Sequence, residues 1–355
     1  MRIAPALALA GAAAVVATAA YGHGVAQRVP RGFRADTAAA VGMRNLWVLG
    51  HHRCGGTWCN ALLRSTDAGR HFRRVALPPF PSQGTIATVK FANARDGFAY
   101  AEYGSPLYVT HDGGSSWHRT GPAGDVIAFA VSAGDAYVVT SRRIYERSPV
   151  AKEAWRRLRY PAFKHGYTVS LAANGPRVWL LGTQKRRRPN DSDELALSRD
   201  RGNEFDTHPG PCLAELGGRL APANGQVVWA VCPTGMMAEL SLSRNGGRSF
   251  PSVLSVHDPG GLRQPSLTNG AEISPFTSRV AVLYDGGEGP LLRTTDQGRQ
   301  WHAVQQPARI YQLDWLDVTT HRYGLAVVQT RSSPDVGALW RTTDDGATWR
   351  SVPIR

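Results

Sequence analysis

One eight-residue pattern recurs along this chain and limits its fold more than any other feature. A Ser or Thr is followed two residues on by Asp, two further by Gly, and three further by Phe or Trp. It reads Ser65-Thr-Asp67-Ala-Gly69-Arg-His-Phe72, Thr110-His-Asp112-Gly-Gly114-Ser-Ser-Trp117 and Ser198-Arg-Asp200-Arg-Gly202-Asn-Glu-Phe205. It returns as Thr294-Thr-Asp296-Gln-Gly298-Arg-Gln-Trp301 and Thr342-Thr-Asp344-Asp-Gly346-Ala-Thr-Trp349, and with Asn for Asp as Ser243-Arg-Asn245-Gly-Gly247-Arg-Ser-Phe250. Each octet has the chemistry of a hairpin turn. A short carboxylate or amide bonds nearby backbone N–H groups, Gly supplies a positive φ, and the aromatic opens the next strand and packs inward.

Successive Asp or Asn positions are 45, 88, 45, 51 and 48 residues apart, and 88 is two steps of 44. One repeat has therefore lost its octet. It falls at 142–159, where Ile144, Tyr145 and Trp155 keep the strand and aromatic positions while the turn at 147–154 has changed. A second marker, a short apolar strand upstream of each octet, occurs seven times, at 45–50, 97–101, 136–140, 177–182, 226–232, 279–284 and 323–329. Further strands precede it, as at 85–93, 126–133, 167–173 and 310–318. Four strands per unit of this length make a propeller blade. The expected fold is all-β, a seven-bladed β-propeller of four-stranded antiparallel blades, occupying 27–355 as one domain.

The six octets resemble the BNR or Asp-box repeats of sialidases, sortilin-type receptors, xyloglucanases and photosystem II assembly factors, over residues 34–355. The resemblance implies the propeller fold and leaves function open, because those families include hydrolases, receptors and assembly factors. The Phe/Tyr-Arg-Ile-Pro segment that opens sialidase domains is missing here; the nearest stretch is Gln27-Arg-Val-Pro30.

Residues 1–26 read as an export signal, with Arg2, an uncharged Ala-rich run from Ile3 to Tyr21 and small residues at Ala17-Thr18-Ala19. The alternative is an uncleaved membrane anchor. With an export signal, the four Cys read as two disulfides rather than metal ligands. Three pairings exist; Cys54 and Cys59 bracket Gly55-Gly56 in a short turn, which leaves Cys212 with Cys232. Only four of 41 basic residues are Lys, and the formal charge is +14, so the exterior favours anionic neighbours.

In an up-and-down blade the octet joins the third and fourth strands, so all octets share one face. The opposite face then carries the longer connections, expected at 51–60, 183–194, 206–217, 251–267 and 329–338, and both disulfides. Recognition is expected there, around the channel mouth. Candidate binding residues on that face are His51, His52, Arg186, Arg187, Arg188, Met236, Met237 and Asp314. Asp314 and Asp317 lie in a channel-lining strand and, three apart, point to opposite sides of it if it is regular. The octet carboxylates are expected to be structural, being distributed around a ring instead of converging.

No catalytic residue, metal site or cofactor is expected: the His residues show no ligand spacing, and Lys185-Arg186-Arg187-Arg188 is nearly neutralised by Asp191, Asp193 and Glu194. The expected function is an extracytoplasmic, secreted or surface-bound binding scaffold, expected as a monomer, which recognises a protein or an anionic envelope polymer or glycan. The alternative is a glycoside hydrolase acting on surface glycans. Nucleic acid is not an expected partner, and a membrane is one only through an uncleaved N-terminal segment.

Overall fold

The computed structural model describes residues 28–80, 87–101, 105–141, 145–159, 167–183, 188, 191–254 and 265–355. They form seven separate antiparallel sheets in a ring, with no helix among the described residues. Each blade takes four strands consecutive in sequence and pairs them in order. Blade 5 adds a short fifth strand, Leu267–Thr268, against its third strand, Met237–Ser243.

The first strands line the central channel: Arg34–Val41, Thr88–Phe91, Val126–Ser132, Tyr167–Asn174, Arg219–Pro222, Glu272–Pro275 and Ile310–Val318. The second strands coincide with the seven apolar markers, and they read as continuous apolar runs because both faces of a blade pack on neighbouring blades. Trp47, Trp179 and Trp229 are fully buried there. Removing each indole from water contributes about 4 to 6 kcal/mol before entropy is counted.

All six octets span the turn from third to fourth strand. The Ser or Thr hydroxyl donates to the Asp carboxylate at 2.7–2.8 Å, as in Ser65–Asp67, Thr110–Asp112 and Thr342–Asp344. The same hydroxyl accepts the N–H of the octet Gly, at 2.9 Å for Gly69 and Gly114. The carboxylate then caps the N–H groups of the following residues, such as Ser115 and Ser116 on Asp112. Two consecutive residues in each turn have positive φ, for instance Arg201 at 64° and Gly202 at 83°. Asn245 works because Ser249 reverses its role: its hydroxyl accepts from Asn245 Nδ2, whereas Ser116 and Thr348 donate to Asp112 and Asp344. In the unit without an octet, the third strand runs to Pro149 and the turn is confined to 150–155.

Among the described residues the ring closes without strand exchange. Ala35, Ala38, Leu46 and Leu63 of blade 1 pack with Tyr323, Leu325, Val327 and Leu339 of blade 7 in one buried cluster.

Several segments expected as long loops are prolonged hairpins. Asp206–Leu213 is the fourth strand of blade 4, held against the long third strand Ser192–Ser198. Blade 7 joins Gly324–Thr330 to Ser333–Thr342 through Arg331 and Ser332 alone. In blade 1, strands reach Cys54 and restart at Thr57, leaving Gly55 and Gly56 at φ 57° and 87° in the turn. Most of 184–190 and 255–264 lies outside the described residues.

The disulfides are Cys54–Cys59, with Cα atoms 5.9 Å apart, and Cys212–Cys232, 5.0 Å apart. The first staples a hairpin; the second ties the last strand of blade 4 to the second strand of blade 5. Two disulfides and no free cysteine fit an oxidising, extracytoplasmic compartment. Among the described residues no helix is long and apolar enough to cross a membrane.

Candidate functional site at the channel mouth

First strands enter from the face opposite the octets, so their opening residues ring the channel mouth there. A cavity of about 600 Å³ lies at this mouth, lined by Asp36, His51, Trp58, Arg219, Glu272 and Asp314, with Gln312 and Gln329. It is continuous with the channel proper, about 780 Å³, to which Thr37, Lys90, Ile127, Ser170, Leu220, Glu272 and Trp315 contribute, one from each blade. Both volumes suit a side chain or a short peptide segment.

Three carboxyl groups meet in the mouth, and burial pushes all three above the usual carboxylate range. Asp36 is opposed in this by His51, whose Nδ1 lies 2.9 Å away. Glu272 is opposed by the Arg219 guanidinium, with which it pairs. Asp314 accepts hydrogen bonds from two amides among the described residues: Gln312 Nε2 donates at 2.9 Å and Gln329 Nε2 at 3.0 and 3.1 Å. The Asp36 charge raises Asp314 further and the nearby His51 opposes it, but no Lys or Arg pairs with this carboxylate among the described residues. Placing a cation beside it would relieve that repulsion.

Trp58 stands at the rim between two guanidinium groups, Arg53 at 4.1 Å and Arg34 at 4.9 Å from its ring. His51 meets the same ring edge-on at 4.8 Å. An acidic centre is thus bordered by an aromatic and cationic wall.

Of the residues singled out from sequence, His51 and Asp314 line this cavity. His52 does not; it lies on the other side of the strand, where burial and the Arg74 charge push its imidazole down. Met236 is 88% exposed in the neighbouring blade 5 turn, while Met237 pairs with Thr268 in the added strand. Arg188 is exposed, and Arg186 and Arg187 lie outside the described residues. Asp317 does not simply oppose Asp314, because the strand is irregular: its register shifts between Leu313 and Trp315. Burial raises the Asp317 carboxyl, with Lys90 opposing. The five octet carboxylates stay on the other rim, no more than one to a blade.

Asp36, Trp58, Arg219, Glu272, Gln312 and Gln329 escaped sequence reasoning. One signal could have found several of them: Arg219 and Glu272 are the opening residues of their inner strands, and Asp36 is the third of its own.

No protein-family model matches the chain, and no curated protein matches it. Among solved structures it is similar to YCF48 bound to D1 peptide, at 16% identity and a TM-score of 0.54, covering 90% of this chain and 96% of that one. It is similar to YCF48 from Cyanidioschyzon merolae, at 13% identity and a TM-score of 0.56, covering 86% and 95%. A Mycobacterium tuberculosis puromycin-hydrolyzing peptidase matches at 10% identity and a TM-score of 0.62, but this chain spans only 54% of that one. At these identities the likeness is one of fold.

Proposed function

We propose that this chain is an exported, non-enzymatic scaffold of the Asp-box propeller kind, which acts as a monomer and holds a protein segment at the channel mouth. The observation that carries the reading is Asp314, a half-buried carboxylate held by two amides, with no Lys or Arg paired to it among the described residues. A Lys or Arg side chain from a partner would complete it, and the Trp58 wall would pack against the flanking residues. Such a centre favours a protein over an anionic polymer, because Asp36, Glu272 and Asp314 repel a polyanion that the rim arginines alone would attract. The YCF48 structure with a D1 peptide agrees with peptide capture on this fold.

The test is an array of immobilised peptides probed with the purified protein. Bound sequences are expected to be enriched in Lys or Arg, and Asp314→Asn is expected to weaken binding about tenfold or more, as for loss of a charge-assisted hydrogen bond. Enrichment of acidic peptides, or binding indifferent to Asp314→Asn, would overturn the reading.

A second reading, hydrolysis of surface glycans, draws on the gathering of three carboxyls, since a glycosidase sets a protonated and an ionised carboxyl about one bond. Turnover of fluorogenic sialosides or glucosides, lost in Glu272→Gln and Asp314→Asn, would favour it over binding alone.

A further inference from the structure

The blade without an octet does something its neighbours do not. Its turn reaches back across the octet rim to blade 2 and sets Glu153 between two imidazoles. Glu153 Oε1 lies 2.9 Å from His111 Nε2 and 2.8 Å from His118 Nε2. The three donor atoms fall within 4.8 Å of one another.

Two observations distinguish this group from an incidental surface cluster. First, His111 has a carboxylate oxygen at each ring nitrogen, because its Nδ1 also lies 2.6 Å from Asp96 Oδ1. A neutral imidazole has one N–H and can satisfy only one of the two, so the second contact is met either by a second ring proton or by a cation at Nε2. Second, the supporting shell is built. Asn93 Nδ2 donates to Asp96 Oδ2 at 2.7 Å, and Trp155 Nε1 donates to Thr120 Oγ1 at 2.8 Å beneath the Glu153 turn. A carboxylate on the far nitrogen of a ligating His fixes the tautomer and raises ligand basicity.

We propose that His111, His118 and Glu153 form a transition-metal site on the octet rim. His111 Nε2, His118 Nε2 and the Glu153 carboxylate supply three ligands, Asp96 holds His111 from behind, and solvent takes the fourth position. Two imidazoles and one carboxylate suit zinc. The site is separate from the channel mouth, on the opposite face, and stands or falls independently of what that mouth binds. No spacing rule reveals it: His111 and His118 flank an octet, and Glu153 comes from the next blade.

The test uses the untagged full chain, stripped with chelator and titrated with zinc by calorimetry, with metal content counted after dialysis. One zinc per chain is expected. His118→Ala and Glu153→Gln should abolish saturable binding, and Asp96→Asn should weaken it about 10- to 100-fold. His71→Ala, which removes a rim imidazole paired only with Asp67, should change nothing. His118 is exposed, and unchanged thermal unfolding of its variant without zinc checks that the fold is intact. Absence of stoichiometric zinc binding, or binding that persists in both His118→Ala and Glu153→Gln, would overturn the proposal.

Discussion

Asp193 shows how a single carboxyl can set the pH response of the fold. It is wholly buried; Oδ1 accepts the N–H of Cys212 at 3.1 Å, and Oδ2 has no partner among the described residues. Burial pushes its pKa up to about 8, against the pull of the Cys212 N–H and its own backbone N–H. Below about pH 4 folded and unfolded chains are both protonated at this position. As pH rises towards 8 only the unfolded chain ionises, so stability falls across that window and the loss is complete above it. Asp193→Asn cannot ionise. It should therefore gain on the native protein by up to about 5 kcal/mol between pH 4 and pH 8, measured by denaturant unfolding at both values. A difference that does not grow with pH would contradict this. The octet carboxylates have the opposite sign: at Asp112, burial raises the pKa, but the combined bonds from Ser116, Thr110 and Ser115 outweigh it and leave it lowered. The octets could be recognised in sequence because each closes its hydrogen bonds within eight residues. Asp193 could not, because its environment is assembled by Cys212 from another strand.

Between elements, a repeated arginine contact joins four of the seven blades to the next. Arg64, Arg293 and Arg341 each immediately precede the octet Ser or Thr, and each donates to a carbonyl in the following blade's turns: Ala94, Asp345 and Ala68. Arg147 of the blade without an octet donates likewise to Arg201 O at 2.8 Å. Trp47 and Trp179 make a parallel link from second strands, to Gly113 O and Gly246 O. The Arg-rich composition, which from sequence reads as a diffuse basic exterior, thus holds part of the ring together. Arg341 bonds across the seam between blades 7 and 1. Arg341→Met should destabilise by about 1 to 3 kcal/mol, the cost of leaving that carbonyl without a partner. Replacing exposed Arg70 should move stability by less than about 0.5 kcal/mol. Equal effects on denaturant midpoints would refute the assignment. Strand order and the octet face were legible because the repeat is periodic. The prolonged hairpins were not, because Gly-, Pro- and His-rich stretches such as 206–213 carry weak strand propensity and are held by pairing partners and a disulfide.

At the scale of the whole molecule, the ring separates two chemistries. The octet rim repeats one turn six times and replaces it once with a turn carrying Glu153. The opposite rim gathers Asp36, Glu272 and Asp314 at an opening that no single blade could form. That division explains why the architecture can be read from sequence while the mouth cannot: its residues come from blades 1, 5, 6 and 7, and only closure brings them together. Closure itself depends on apolar packing of Ala35, Ala38 and Leu46 against Tyr323, Leu325 and Val327, with no shared strand to lock it.

The most direct measurement is hydrogen exchange along the backbone with and without a selected Lys- or Arg-containing peptide. The account predicts slowed exchange at the start of Arg34–Val41, in the hairpin at 51–60 and in Ile310–Val318, with the octet turns unchanged. Slowing confined to the octet turns, with the channel mouth exchanging as before, would contradict it.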